Sequence, residues 1–156
     1  MQTNSTMNKL NSKVSILMAD DDPDDQILLQ EALRENQIPN TVCFVENGEE
    51  LIDFLTGKGK FEGSERIIPG LILLDLNMPK MDGRQALKFV KADPILKKIP
   101  IVVLTTSRAD TDILECYDLG VNSFISKPVN FQELVEVTRE ISNYWLGTVS
   151  LPENKL

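Results

Sequence analysis

LILLDLNMPKMDG, residues 71 to 83, is the stretch on which the fold turns. Its aliphatic run has no polar break, is too short for a helix, and ends in a carboxylate at Asp75. A run of this kind reads as a strand buried on both faces, the sort found in a parallel sheet covered by helices. Turn-forming residues follow, and from Gly83 the apolar spacing becomes helical, which predicts a helix over 83 to 92.

Working outward, the same unit repeats. Short apolar runs stand at VSILMA (14 to 19), TVCFV (41 to 45), IVVLTT (101 to 106) and SFIS (123 to 126). Helical patterns separate them at 23 to 36, 48 to 56, 83 to 92, 110 to 119 and 130 to 146; in the first, Leu28, Leu29, Ala32 and Leu33 share a stripe. Strict alternation predicts an α/β fold: a doubly wound, five-stranded parallel sheet with right-handed crossovers and helices on both faces. Asn47-Gly48, Asp93-Pro94, Ile99-Pro100 and Leu119-Gly120 punctuate it where elements should end or begin. The connection GKGKFEGSERIIPG, 57 to 70, is expected to be a mobile surface loop.

Composition narrows the function. The 156 residues suit one domain, and 24 acids against 16 bases give a net charge of -8, which argues against nucleic-acid or anionic-membrane binding by bulk electrostatics. Histidine is absent, which removes Ser/His and Cys/His catalysis and histidine metal ligation together. Cys43 and Cys116 lie in apolar segments far apart in sequence, a usage that fits reduced thiols in the cytoplasm. The opening MQTNSTMNKLNSK lacks the apolar core of a signal peptide and is expected to be a disordered arm over 1 to 13; the domain is expected over 14 to 146 and a tail over 147 to 156.

The acidic stretch MADDDPDDQ, 18 to 26, follows the first predicted strand. A calcium loop beginning at Asp20 would place Asp22, Asp24 and Glu31 at ligand positions, but Asp25 stands where the loop needs glycine, Pro23 interrupts it, and a strand precedes it. A division of labour fits better. Asp22 is a good N-cap before Pro23, and Asp24 and Asp25 complement the positive end of the helix dipole. Asp20 and Asp21 remain, at the carboxyl edge of the sheet, where ligands bind in parallel α/β folds.

Asp75 ends the third strand at that same edge, Thr105 the fourth and Lys127 the fifth. Three converging carboxylates repel one another unless a cation joins them, and Mg2+ takes such oxygen donors. Taken singly, each residue has a bland explanation as a cap, a strand residue or a surface lysine. Their convergence on one edge does not.

The set Asp20, Asp21, Asp75, Thr105, Phe124 and Lys127 resembles that of the receiver domain of two-component response regulators, over roughly residues 14 to 146. The closing YWLGTV.LP pattern at 144 to 152 and the loop at 57 to 70 look more narrowly like single-domain regulators that pair with bacterial phytochrome-type histidine kinases. The resemblance implies a flavodoxin-like receiver fold with strand order 2-1-3-4-5. It implies phosphoryl transfer from a sensor histidine kinase to Asp75, with Mg2+ on Asp20, Asp21, Asp75 and the Asn77 carbonyl, and Lys127 and Thr105 on the phosphoryl oxygens. Thr105 and Phe124 would be the switch pair, with phenylalanine where many receivers carry tyrosine. Asn77 and Ser107 would tune dephosphorylation, and a cis Lys127-Pro128 peptide is expected.

Such a protein is not an enzyme beyond catalysing its own phosphorylation and dephosphorylation. Output is expected to be a binding event, to a partner or a second copy of the chain, since little sequence follows Leu146. Two other readings compete. A phosphatase of the haloacid dehalogenase type would want an acid where Asn77 stands, and its nucleophile on the first strand. A phosphorylation-independent pseudo-receiver scaffold would have no need of the intact acidic set.

Overall fold

The computed structural model describes residues 10, 11 and 13 to 152. Its strands are β1 (Ile16–Ala19), β2 (Val42–Val45), β3 (Leu71–Leu74), β4 (Ile101–Thr105) and β5 (Ser123–Ser126). They alternate with helices α1 (Pro23–Glu35), α2 (Gly48–Thr56), α3 (Gly83–Ala92), α4 (Asp110–Asp118) and α5 (Phe131–Ser142). All pairings are parallel and the strand order is 2-1-3-4-5, with β1 and β3 in the register Ile16 to Leu71 and Ala19 to Leu74. The expected architecture is the one observed.

Alternation along each strand divides the core. Leu17, Ala19, Ile72, Leu74, Ile101 and Val103 face one layer, closed by Leu51 and Leu55 of α2, Ala86, Leu87 and Val90 of α3, and Cys116 of α4. Ile16, Met18, Leu71, Leu73 and Val102 face the other, closed by Leu29 and Leu33 of α1 and Ile141 of α5. Each fully buried leucine contributes roughly 1.5–3 kcal/mol, so the two layers fix the sheet firmly beneath its carboxyl edge. Side-chain caps start four of the five helices: Asp22 accepts from the Asp24 N–H, Asn47 from Glu50, Asp82 from Gln85 and Asn130 from Glu133.

Several boundaries differ from expectation. The described part of the first thirteen residues is docked: Leu10 packs on the second core layer, the Asn11 N–H donates to the Leu146 carbonyl at 2.8 Å, and buried Asn40 donates to the Asn11 and Val14 carbonyls. The rest of the expected arm lies outside the described residues.

The loop at 57 to 70 is anchored where a mobile connection was expected. It holds a short 3-10 turn, Gly59–Phe61; Phe61 stacks edge-on against Phe54 at 5.1 Å, and Arg66 donates twice to the Leu55 carbonyl, at 3.0 and 2.7 Å. That guanidinium satisfies an orphan carbonyl at the end of α2, which explains the ordering.

After α5 the chain widens into a π-helical turn, Asn143–Thr148, that buries Leu146 and half-buries Trp145 on the second layer. The Lys127–Pro128 peptide is trans, contrary to expectation, which is the lower-energy isomer for a proline bond. Among the described residues no helix is long and apolar enough to cross a membrane.

Candidate functional site

Asp20 and Asp75 each lie one residue beyond a strand, and the ladder continues through them: the Asp20 N–H donates to the Val45 carbonyl and the Asp75 N–H to the Ala19 carbonyl. This pairing places the two side chains beside each other. Asp20 is 0% exposed and Asp75 6%. The turn after Asp75 is held by close backbone approach, because a Cβ at Gly83 would stand 2.4 Å from the Asp75 carbonyl oxygen and 2.8 Å from the Leu76 Cα. Gly48, at the start of α2, makes a second such approach, its N–H donating to the Met81 carbonyl at 2.7 Å.

The groups expected at this edge converge. Thr105 Oγ1 donates to Asp75 Oδ1 at 2.9 Å, and the Asn77 N–H reaches the same oxygen at 3.2 Å. Lys127 Nζ donates to Asp75 Oδ2 at 3.0 Å, Asp20 Oδ2 at 2.8 Å and Asp25 Oδ2 at 2.5 Å. Burial dominates at Asp20 and lifts its pKa from 3.8 to about 6; the Lys127 and Asp22 N–H bonds pull against that rise, and the charge on Asp75 adds to it. At Lys127 burial opposes the charge, yet the bonds to the three carboxylates outweigh it and push its pKa above the ordinary lysine value.

Asp20, Asp21 and Asp75 each offer a carboxylate oxygen, all within 4.8 Å of one another. Hard, crowded anionic oxygens beside one ammonium fit a divalent cation of the Mg2+ or Mn2+ kind, which would relieve the repulsion that a single lysine only partly offsets. An ionised Asp75 flanked by the Thr105 and Lys127 donors is a nucleophile already paired with groups able to stabilise developing charge.

The other expected residues are placed as follows. Phe124, half-buried, leans on the first core layer, and its N–H donates to the Tyr117 hydroxyl at 3.3 Å. Thr105 already faces Asp75, so an incoming group there would take over an existing hydrogen bond instead of drawing the hydroxyl in. Ser107 does not reach Asp75; its hydroxyl donates to Asp112 Oδ2 at 2.5 Å, while Arg84 of α3 grips Asp112 Oδ1 at 2.6 and 3.1 Å. The Ser107 and Arg84 bonds hold the Asp112 carboxyl below its ordinary range.

Sequence reasoning missed this Arg84–Asp112 pair, and it assigned Asp25 to the helix dipole alone. A signal for Asp25 existed: a lysine has three donors, and Asp25 lies in the first turn of α1, directly after the acidic pair at the sheet edge.

The comparisons agree with this geometry. The response regulator receiver domain model matches residues 16–139. The chain is 42% identical over 137 residues to the response regulator Rcp1 of Synechocystis sp., covering 88% of this chain and 92% of that protein. Among solved structures, the phosphorylated cyanobacterial phytochrome response regulator RcpA superposes with a TM-score of 0.83 at 42% identity, covering 90% of this chain and 99% of the other. The Mn2+-bound form of Rcp1 gives 0.81 at 41% identity with the same coverage. With the acid pair after β1, the carboxylate after β3, and the hydroxyl and lysine after β4 and β5 all in place, the chain belongs to the response regulator receiver domain family.

Proposed function

We propose that this regulator accepts a phosphoryl group from the phosphohistidine of a sensor histidine kinase onto Asp75. The observation that carries the reading is the arrangement around Asp75: one oxygen bonded by Thr105, the other by Lys127, with Asp20 and Asp21 alongside. An ionised carboxylate needs no general base, so the chain's lack of histidine costs nothing.

Asp20, Asp21, Asp75 and the Asn77 carbonyl would hold Mg2+, which supplies charge neutralisation on the phosphoryl oxygens. Thr105 and Lys127 would orient the remaining oxygens, and Asn77 and Ser107, each two residues beyond one of the residues at the site, would tune how water reaches the acyl phosphate. Apart from this chemistry on itself, the protein turns over no substrate.

A phytochrome-type kinase is the partner best supported, by the 42% identity to a phytochrome response regulator over nearly the whole chain. Exposed Leu28, Val129 and Phe131 line, with Lys127, a pocket of about 120 Å3 that offers an apolar seat for a side chain of the kinase. Output is a protein–protein contact on the face of α4 and β5, where Leu114 and Tyr117 are exposed and Thr105 and Phe124 report the state of Asp75. A second copy of the chain is one partner for that face. The setting is the cytoplasm, consistent with two free thiols.

A phosphotransfer profile tests this reading. Autophosphorylated histidine kinases of the source organism, a phytochrome-type kinase among them, are each mixed with the protein and Mg2+. Rapid transfer from the phytochrome-type kinase is expected; transfer from none of them would overturn the reading.

A further inference from the structure

We propose that Asp25 is a positioning residue that competes with the incoming phosphoryl group for Lys127 and so limits how fast Asp75 is phosphorylated. The inference rests on the phosphoryl-acceptor reading of the same site.

An ammonium has three N–H donors, and here three carboxylates take them all: Asp25 at 2.5 Å, Asp20 at 2.8 Å and Asp75 at 3.0 Å. No donor is left for a phosphoryl oxygen, so one contact must open before Lys127 can bind one. The side chains of Asp20 and Asp75 are 0% and 7% exposed, whereas that of Asp25 is 29% exposed. Water replaces the ammonium more readily on Asp25 than on the other two, which makes the Asp25 bond the easiest to surrender.

Asp25 also stands apart from the Asp20, Asp21 and Asp75 group that fits a cation. Its charge therefore stays uncompensated once Lys127 turns away, and it opposes an arriving phosphoryl group. The helix dipole does not explain the contact, because Asp24 and Asp25 share the same first turn, yet Lys127 pairs with Asp25 and not with Asp24.

The test is the initial rate of Asp75 phosphorylation by acetyl phosphate and Mg2+, followed by intact mass in the native chain, Asp25→Asn, Asp25→Glu and Asp24→Asn. Asp25→Asn is expected to be phosphorylated roughly three- to tenfold faster than native, the scale of one charge-assisted bond released. Asp24→Asn removes the same charge one residue away and stays near native, and Asp25→Glu returns the rate toward native by restoring the competitor. Equal rates for Asp25→Asn and Asp24→Asn, or a slower Asp25→Asn, would overturn the inference while leaving the phosphoryl reading intact. A native chain that takes up no phosphoryl group overturns both.

Discussion

Asp20 is held at a cost to the fold, and Asp20→Asn should expose that cost as a pH dependence. Its side chain is fully buried, and burial raises its pKa from 3.8 to about 6 despite the bond from Lys127. A carboxyl whose pKa is raised on folding favours the folded state most below its unfolded value, and that stability is lost as the pH climbs through the folded value. Between 3.8 and about 6 the whole loss comes to about 3 kcal/mol.

At about pH 4.5 the unfolded carboxyl is already mostly ionised, so roughly 1 kcal/mol has gone and about 2 kcal/mol remains to be lost by about pH 7.5. The amide of Asp20→Asn does not titrate, so whatever its own packing costs is the same at both values. Urea unfolding of both proteins with a chelator present, at these two pH values, isolates the carboxylate as a difference of differences. Relative to Asp20→Asn, the native chain should lose about 2 kcal/mol between the acidic and the neutral measurement. Parallel profiles for the two proteins would refute the reasoning, and added Mg2+ should restore the native chain at neutral pH while leaving Asp20→Asn little changed.

Other perturbations address the frame around the site. Gly83→Ala forces a Cβ against the Asp75 carbonyl oxygen at 2.4 Å, so it should cost about 1–3 kcal/mol in denaturant unfolding and depress Asp75 phosphorylation as well. Asp22→Ala removes the N-cap that accepts from Asp24 and should cost about 1 kcal/mol without changing Mg2+ affinity, read by thermal unfolding and a metal titration. Asn36→Ala deletes the buried amide that joins α1 to the Val135 carbonyl and the Thr138 hydroxyl, both at 2.9 Å; a loss of about 1–3 kcal/mol is expected, again by denaturant.

Much of the fold was legible because four of the five strands carry an unbroken apolar core and four of the five helices begin at a capping side chain; α4, which starts after Ala109, has none. LILL at 71 to 74 and IVVLT at 101 to 105 cannot be anything but buried, and Asp22, Asn47, Asp82 and Asn130 mark helix starts by chemistry that acts within three residues. The edge carrying Asp20, Asp75, Thr105 and Lys127 was legible for the same reason: strand ends fix where such residues go.

What escaped depends on partners distant in sequence. Nothing local says that Arg66 will bind the Leu55 carbonyl, that Asn40 will hold Asn11 and Val14, or that Asp112 will join Ser107 to Arg84. Asp25 escaped for a different reason: a sufficient local explanation, the helix dipole, concealed its long-range one with Lys127.

The most direct test of the account is to locate the phosphoryl group itself. The protein is incubated with acetyl phosphate and Mg2+, the product is reduced with borohydride, which converts an aspartyl phosphate to homoserine, and the modified residue is mapped by peptide mass spectrometry. The account predicts one phosphoryl group per chain, homoserine at position 75 alone, and no uptake in Asp75→Asn or with the metal chelated. Homoserine at another position in the native chain, or undiminished uptake by Asp75→Asn, would contradict it.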